Sequence, residues 1–288
     1  MAAQPETCYR HQDVETRVHC TRCGRPICPA CMTPAPVGHH CPECVAAGRK
    51  SARRPLRLRR PRSATTVLIG LNLVAFLVEV LLDGLRNLEV LVRMGAMVPL
   101  LVAEGEYWRL LTAMFLHAGP LHLAFNTLAL YLFGGVVESA LGTARFLAVY
   151  LVAGLFASAA SFALSPPGAV AVGASGAVFG LLGAWLAFNL RRRSLSLAQS
   201  NIQGALLLIG INLALGFTVR GVDNVAHIGG LLAGIVAGFA AEGAGRGGRS
   251  RVATQLLGFG GLVVAAAAIT FWRAGELAPL ALTLGPLN

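Results

Sequence analysis

Residues 146–190 read FLAVYLVAGLFASAASFALSPPGAVAVGASGAVFGLLGAWLAFNL, a run of 45 residues without Asp, Glu, Lys or Arg. A helix needs about 20 mostly apolar residues to cross the hydrocarbon core of a bilayer, so this run is long enough for two helices. The segment Ser165-Pro166-Pro167-Gly168 supplies turn-forming residues between them. The run therefore predicts two adjacent transmembrane helices.

The rest of the chain beyond residue 63 continues this pattern. Of the 288 residues, 55% are hydrophobic and 13% are charged, which excludes an ordinary soluble domain. Stretches that are nearly free of charge predict seven spans, at 64–82, 112–136, 144–164, 173–190, 202–219, 222–241 and 252–272. The first span carries Glu79 near its end and is the weakest of the seven. We expect an all-α polytopic membrane protein.

The basic residues predict how the chain crosses the membrane. There are 24 Lys and Arg residues against 13 Asp and Glu residues, and the basic ones concentrate before the first span and in alternate turns. Those turns hold Arg145, Arg191 to Arg193, and Arg246, Arg249 and Arg251. Because Lys- and Arg-rich loops stay in the cytoplasm, we predict a cell-membrane protein with a cytoplasmic N-terminus and an external C-terminus. The first 60 residues hold no apolar core of the length that a signal peptide needs.

The segment 49–63 is a basic linker between the polar head and the first span. Beside a membrane helix, such charges are expected to bind anionic lipid headgroups, and no nucleic-acid partner is expected. Only one of the 24 basic residues is a lysine, beside abundant Ala, Gly and Arg, which is typical of a GC-rich bacterial genome.

The head, residues 1–48, holds all seven cysteines of the chain. They form four pairs with two-residue spacers: Cys8 with His11, Cys20 with Cys23, Cys28 with Cys31, and Cys41 with Cys44. Because two ligands of one tight turn reach the same ion, four pairs predict two tetrahedral Zn²⁺ sites. A reducing cytoplasm favours metal binding over disulfide bonds. Because a segment this short rarely folds without a cross-link, the zinc is predicted to be structural.

The pattern leaves the pairing of the zinc ligands open. Neighbouring pairs or alternating pairs satisfy the same count of eight ligands for two ions. His39 and His40 are spare candidates that would replace a member of the last pair, whereas His19 is not expected to be a ligand.

Few polar side chains interrupt the predicted spans, and such residues usually face a bundle interior or a watery cavity. They are His117, His122, Asn126, Ser175 and His227. The predicted orientation places them near the outer ends of their helices. Glycines four residues apart favour close helix packing in lipid, and they follow both Ser175 and His227 along the chain. Contact between these two glycine faces would bring Ser175 and His227 toward hydrogen-bonding distance.

This arrangement matches the needs of acyl transfer. A neutral His227 would take the proton of the Ser175 hydroxyl, and His122 and Asn126, four residues apart on one helix face, would donate hydrogen bonds to an oxyanion. Asp223 is expected about one turn above His227, so a Ser-His dyad is predicted without a third carboxylate. Taken singly, a Gly-x-Ser-Gly segment or an intramembrane histidine is more often a packing feature. A transporter would predict an internal repeat, and none is visible.

These residues together resemble the rhomboid intramembrane serine proteases. The likeness covers about residues 64–245. It rests on Glu106-Tyr107-Trp108-Arg109, Phe115-Leu116-His117 with His122 and Asn126, Gly135-Val136-Val137-Glu138 with Leu141-Gly142, Gly173-Ala174-Ser175-Gly176-Ala177, and Ala226-His227-Ile228-Gly229-Gly230. It implies a six-helix core that cleaves transmembrane helices, with 252–272 as an additional seventh helix.

The resemblance also implies a role for each matched residue. Ser175 would be the nucleophile, His227 the base and acid, and His122, Asn126 and the Ser175 backbone N–H the oxyanion hole. No metal or cofactor would take part in the reaction. His117 and the Trp108-Arg109 pair resemble structural residues of the family, and the head is similar to a B-box-type zinc finger, in which alternating pairs share an ion.

The expected organisation is a zinc finger at 1–48, the basic linker at 49–63, a protease core at 64–245, and a seventh helix and tail at 246–288. The expected partners are transmembrane protein substrates, the lipid bilayer and a protein bound by the zinc finger. The alternative is a catalytically silent rhomboid-like protein that binds or chaperones client transmembrane helices through its zinc finger and helical core.

Overall fold

The computed structural model of the chain describes residues 6–35, 37–51, 64–219, 221–243 and 248–284, the side chains of 49–51 and 284 excepted. The chain divides into two compact units, residues 1–59 and 60–288. Residues 52–63 of the predicted basic linker lie outside the described residues. The domain limits at 48, 63 and 245 remain predictions.

The first unit is a small head with little regular structure. Strand β1 (Glu6–Thr7) pairs antiparallel with β2 (Glu15–Thr16), β3 (Thr33–Pro34) pairs antiparallel with β4 (His39–His40), and helix α1 (Pro42–Ser51) follows. Its buried centre is Ile27 with five cysteines, Cys8, Cys20, Cys28, Cys31 and Cys41. An apolar core this small cannot hold a fold by itself, so the cysteines must contribute more than packing.

The second unit is a bundle of apolar helices. They are α2 (Ala64–Leu81), α6 (Pro120–Ala129), α7 (Gly135–Leu141), α8 (Thr143–Leu164), α9 (Ser175–Leu190), α10 (Ser196–Thr218), α11 (Asn224–Glu242) and α12 (Gly248–Leu284). A π-helical turn at Leu130–Gly134 joins α6 to α7, which makes one continuous span. In the described part of the chain six spans are long and apolar enough to cross a membrane, and α9 is a shorter apolar helix. The predicted all-α polytopic fold is confirmed.

A long loop between α2 and α6 carries three short helices. They are α3 (Leu88–Arg93), α4 (Pro99–Ala103) and α5 (Arg109–Thr112), and a 3₁₀ turn at Ala113–Phe115 follows. The turn predicted at Ser165–Gly168 is confirmed, because α8 ends at Leu164 and Ser165 has an extended backbone.

The predicted limits of the second span, 112–136, are wrong at both ends. The helix begins at Pro120, after Gly119 with φ +136°, because proline suits the first helical position and its ring fixes φ there. It continues to Leu141 and thus includes Glu138. The buried Glu138 carboxylate accepts hydrogen bonds from the Thr65 N–H at 3.0 Å and the Thr65 hydroxyl at 2.7 Å, so this charge is satisfied inside the bundle.

The last helix is longer than the predicted 252–272. α12 contains 37 residues and continues beyond Arg273. The predicted span ends at residue 272 because the next residue is charged. Arg273 and Glu276 form an ion pair at 3.0 Å, so both charges are tolerated within the helix. At 1.5 Å per residue, α12 measures about 55 Å and exceeds the hydrocarbon core. Near its end, Ala274 and Leu277 pack with residues of the loop helices.

The centre of the bundle is the contact between α9 and α11. A Cβ atom placed on Gly230 would lie 2.0 Å from the Gly176 carbonyl oxygen, and one on Gly234 would lie 2.0 Å from the Gly180 carbonyl oxygen. The two backbones are therefore in direct contact, and the predicted packing of the two glycine faces is confirmed. Helix α8 closes the other side of α9 with alanines: the Ala157 Cβ would lie 2.6 Å from a Cβ on Gly176.

Candidate active site

Ser175 is the first residue of α9, and a backbone hydrogen bond of Gly173 fixes the loop before it. Gly173 has φ +131°, a conformation that favours glycine, and its N–H donates to the Ala113 carbonyl oxygen at 2.9 Å. The first N–H groups of a helix have no intrahelical acceptor and carry the positive end of the helix dipole. The half-buried Ser175 side chain therefore lies where the backbone stabilises negative charge.

His227 lies in the first turn of α11 and is 7% exposed. Its ring stacks on the Phe179 ring, with the centroids 4.3 Å apart and an interplanar angle of 8°. Phe179 follows Ser175 by four residues on α9, so the two residues share a helix face. The imidazole is thus held flat against the side of α9 that carries the serine.

Asp223 fixes the start of α11 without reaching the imidazole. One of its carboxylate oxygens accepts from the Ala226 N–H at 2.9 Å, and the other accepts from the Ser161 hydroxyl. The His227 Nδ1 atom is buried and has no hydrogen-bond partner among the described residues. Asp223 therefore does not act as the third member of a triad in this structure.

Ser175 and His227 lie on neighbouring helices, yet within the described part of the chain no hydrogen bond joins their side chains. Catalytic hydrogen bonds are often long before substrate binds. The structure brings the two residues to one region of the α9–α11 contact, where the His227 Nδ1 atom has no hydrogen-bond partner among the described residues.

His122 borders the same space from α6. Its Nδ1 atom accepts a hydrogen bond from the Ala118 N–H at 3.4 Å, so the proton of a neutral ring is assigned to Nε2. A Cβ atom on Gly173 would lie 2.7 Å from the His122 Nε2 atom and 3.8 Å from the Ser175 Oγ atom. The missing side chain at Gly173 therefore leaves room between a ring N–H and the serine hydroxyl.

Asn126 lies one turn after His122 on α6 and is 5% exposed. Its Nδ2 atom donates to the His122 carbonyl oxygen at 3.0 Å. In the described structure it makes no hydrogen bond to Ser175 or His227. One of its two amide N–H groups is engaged, and the other is left for a ligand.

His117 has a structural position. It is fully buried, its backbone N–H donates to the Glu79 carboxylate at 3.0 Å, and its Nδ1 atom contacts the Phe115 carbonyl oxygen at 3.2 Å. Its ring centroid lies 5.2 Å from that of His122, so it packs behind the candidate site. The buried Glu79, which weakened the first predicted span, thus ties α2 to the segment before α6. Sequence reasoning missed this contact because 38 residues separate the two partners.

The Trp108-Arg109 pair holds the long loop together. Arg109 is 5% exposed and donates to the Ala96 carbonyl oxygen at 3.0 Å, and its guanidinium lies 4.7 Å from the Trp108 ring centroid. It also pairs with Glu106. These contacts lie within the loop.

The head contains two clusters of metal-ligating side chains. In each cluster the four ligand atoms lie within 4.8 Å of one another. One cluster is Cys8, His11, Cys28 and Cys31, and the other is Cys20, Cys23, Cys41 and Cys44. The alternating arrangement of pairs, left open by the sequence, is therefore the one that the fold brings together. His39 and His40 lie in β4 outside both clusters, and His19 pairs with Glu6 at 2.8 Å.

The clusters fit a tetrahedral metal ion. The His11 Nδ1 atom lies 3.3, 3.5 and 3.9 Å from the Sγ atoms of Cys28, Cys31 and Cys8. Bond lengths of about 2.0 to 2.3 Å to a central Zn²⁺ would place ligand atoms about 3.5 to 4 Å apart. All seven cysteines are described, and none forms a disulfide.

Backbone donors lower the pKa of one thiol in each cluster. Although burial raises the pKa of the Cys8 thiol, the backbone N–H groups of Arg10, Cys28 and His11 outweigh it and lower that pKa to about 6. Burial also raises the pKa of the Cys20 thiol. Hydrogen bonds from the Cys41, Arg22 and Cys23 backbones outweigh burial and lower this pKa to about 6. The thiolate is the form that binds zinc, so Cys8 and Cys20 are the thiols that lose their protons most readily. The pKa of other ligands is raised instead: burial raises the pKa of Cys31 to about 11, and the side-chain hydrogen bond with Cys41 raises that of Cys44 to about 12.

Comparison with known proteins decides the family. Residues 104–242 match the family model of the rhomboid domain. The chain is 38% identical over 138 residues to YdcA of Bacillus subtilis, a match that covers 48% of this chain and 69% of that protein. The chain belongs to the rhomboid family. It is a multi-pass membrane protein, and the matched region contains His117, His122, Asn126, Ser175 and His227.

Other rhomboid relatives are longer than the shared region. The chain is 47% identical over 176 residues to the rhomboid protease GluP of Bacillus subtilis, which covers 60% of this chain and 34% of GluP. It is 41% identical over 155 residues to RHOMBOID-like protein 5 of Arabidopsis thaliana, which covers 53% of this chain and 50% of that protein. The chain thus matches about a third of the length of GluP and half of that of the plant relative.

Proposed function

We propose that this rhomboid is an intramembrane serine endopeptidase that cleaves transmembrane segments of other proteins with a Ser175-His227 dyad. The observation that carries the proposal is the convergence of three helices on one space. Ser175 begins α9, His227 of α11 stacks one turn further along α9, and the His122 ring of α6 lies against Gly173. Relatives that bear the name protease support the same class of reaction.

In the proposed reaction the Ser175 oxygen attacks a substrate carbonyl carbon while His227 accepts the hydroxyl proton. His227 then gives this proton to the leaving amine nitrogen, and the C–N bond breaks to leave an acyl-enzyme. Water, deprotonated by the same imidazole, hydrolyses the ester and restores Ser175. The buried Nδ1 atom of His227 has no partner in the described part of the chain, which agrees with a base that works without a carboxylate partner.

The oxyanion of each tetrahedral intermediate needs preorganised donors. We assign the His122 Nε2–H, an amide N–H of Asn126 and the backbone N–H of Ser175 to this role. Support comes from the His122 tautomer, the buried position of Asn126 and the place of Ser175 at a helix N-terminus. No metal or cofactor enters this mechanism.

The proposed orientation puts the site on the external side of a cell membrane. Helix α9 spans about 24 Å from Ser175 at one end to Leu190 at the other, and Arg191 and Arg192 come next. Arg145 and Arg251 lie with these arginines at the end of the bundle far from Ser175. Because arginine-rich ends stay in the cytoplasm, we place the N-terminus there and the C-terminus outside.

The head is proposed to bind two structural Zn²⁺ ions through the alternating clusters. When bound, zinc would supply the cross-links that hold the short hairpins. A stable cytoplasmic zinc finger would then present a surface to a protein partner.

The test is cleavage of a single-span substrate by the full chain in lipid vesicles. Ser175→Ala and His227→Ala should each abolish cleavage without changing membrane insertion. Ser139→Ala is the matched control, because among the described residues the Ser139 hydroxyl donates only to the Gly135 carbonyl oxygen of its own helix. Cleavage by Ser175→Ala at the wild-type rate would refute the proposal. A wild-type protein that binds the substrate helix without cleaving it would support the client-binding alternative.

A further inference from the structure

A cavity of about 480 Å³ lies at the opposite end of the bundle from Ser175, among the ends of α7, α8, α9, α11 and α12. The charged residues that line it are Arg145, Arg191, Arg192, Arg251 and Glu242. The remaining lining residues are Ala140, Leu141 and Gly243. Four guanidinium groups from three separate segments thus surround one space that the proposed peptidase reaction does not use.

Capping of helix ends accounts for only part of these arginines. Each donates at least one hydrogen bond to a helix-end carbonyl: Arg145 to Leu141 at 3.3 Å, Arg191 to Gly243 at 3.0 Å, Arg192 to Phe188 at 2.7 Å and Arg251 to Glu242 at 3.3 Å. A guanidinium carries five N–H donors. Arg191 also donates to the Phe239 carbonyl oxygen at 3.3 Å. Most donors around the cavity still have no acceptor among the described residues, and they could bind a ligand.

The carboxylate in the cavity wall does not balance the arginines. Glu242 pairs with Arg192 at 2.7 Å and with Arg191 at 3.5 Å. In the described parts of the chain no carboxylate lies within ion-pair distance of Arg145 or Arg251. Like charges gathered around one space repel each other unless an anion or water screens them. The cavity thus has the electrostatics of an anion site.

We propose that this four-arginine cavity binds the phosphate group of an anionic phospholipid. Phosphate oxygens match the planar donor fork of arginine, and the volume exceeds what a single inorganic phosphate would fill. The cavity lies where membrane helices end, which is the depth of the headgroups. In the orientation proposed above it faces the cytoplasmic leaflet, whose surface is negative. A soluble phosphate shares this chemistry and is distinguished by the experiment.

The first arm of the experiment measures lipid binding by native mass spectrometry of the full chain in detergent. Phosphatidylglycerol should be retained in preference to phosphatidylcholine, and Arg145→Gln should weaken its binding about fivefold, as expected for one basic charge near a headgroup. Arg93→Gln is the matched control, because Arg93 is exposed and pairs with Glu89 in the loop. Equal retention of the two lipids, or equal binding by the two variants, would overturn the proposal.

The second arm separates ligand binding from a purely structural role. Glu242→Gln removes the carboxylate from the wall and should strengthen phosphatidylglycerol binding about fivefold. If the arginines served only to hold helix ends through Glu242, this variant would lose lipid together with thermal stability. Unchanged or weaker binding by a normally stable Glu242→Gln protein would also count against the proposal.

Inorganic phosphate supplies the third arm. Millimolar phosphate that displaces the lipid from the wild-type protein would show that the phosphate group alone suffices. Failure to displace it would assign the site to the membrane lipid. Because the readout is binding, a failure here is distinct from a failure of the peptidase proposal.

Discussion

The ligand clusters of the head and the Ser175-His227 site of the bundle differ in how many of their polar atoms have partners within the chain. In the head, each ligating atom lies within 4.8 Å of three others, and backbone N–H groups contact the sulfurs. In the bundle, His227 Nδ1 is buried without a partner, and no hydrogen bond joins Ser175 to His227 in the described structure. The head clusters are complete sets of four ligands, whereas among the described residues the bundle site leaves the His227 Nδ1 atom without a hydrogen-bond partner.

This difference is the one expected between a structural metal site and the proposed catalytic site. A structural zinc site uses four protein ligands and leaves no open position, so its residues are complete within the chain. A reactive site must keep donors and a base unengaged until a substrate arrives, at a cost in stability. Close backbone packing of α9 on α11 is expected to stabilise the bundle beside this site.

The largest expected effect concerns the ligand clusters of the head. Cys20→Ser should remove one of two zinc ions and unfold much of the head, since structural zinc contributes about 10 kcal/mol or more in small zinc modules. Elemental analysis of the purified full chain should fall from about two zinc ions to about one. Full zinc content in Cys20→Ser would mean that the cluster is not the site. Peptidase activity should persist, because the second unit has its own core.

The next effect concerns the donors of the proposed catalytic site. Asn126→Ala should lower kcat about a hundredfold, the usual loss for one oxyanion donor. Asn212→Ala is the control, because the Asn212 Nδ2 atom also donates to a carbonyl four residues earlier, Leu208, but faces outward on α10. Single-turnover cleavage would compare them. Equal rates for the two variants would remove Asn126 from the oxyanion hole.

A smaller effect should follow from filling the α9–α11 contact. Gly234→Ala places a Cβ 2.0 Å from the Gly180 carbonyl oxygen and should cost about 1 to 3 kcal/mol. Gly210→Ala on α10 meets no heavy atom within 4 Å and should be neutral or gain up to about 1 kcal/mol. Thermal unfolding in the same detergent measures both. Equal melting temperatures would show that the contact does not stabilise the site.

The smallest expected effect tests whether the two ligand sets of the head are complete without His39. His39→Ala should leave the zinc content unchanged, because the described ligand sets are complete without His39. A loss of one zinc ion per chain would show that His39 replaces a cysteine as ligand. The same elemental analysis as for Cys20→Ser decides this.

Local patterns predicted much of the fold and its polar residues. Runs without charge located seven helices, and glycines four apart on α9 and α11 predicted the contact that the structure shows. Two-residue spacers identified the ligand pairs because two ligands of one turn are necessarily close. Each of these features depends on neighbours within one or two helical turns.

The features that the sequence did not reveal depend on partners distant in the chain. Glu79 of α2 contacts His117 in the segment before α6, and Asp223 at the start of α11 contacts Ser161 of α8. Charge counting treats such residues only as interruptions of a span. For the same reason the absence of charge predicts an end of the second span before Glu138, whereas the helix includes this residue. One feature of the sequence could have predicted the stacking of Phe179 on His227. Phe179 follows Ser175 by one helical turn and so lies on the same face of α9.

The most direct test of the Ser175-His227 proposal is covalent labelling of the full chain in membranes with a fluorophosphonate. The Ser175 oxygen should displace fluoride from phosphorus, with the proton taken by His227, so peptide mass spectrometry should find the label on Ser175. Labelling should disappear in Ser175→Ala and His227→Ala and persist in Cys20→Ser. Label on another residue, or undiminished labelling of His227→Ala, would contradict the account.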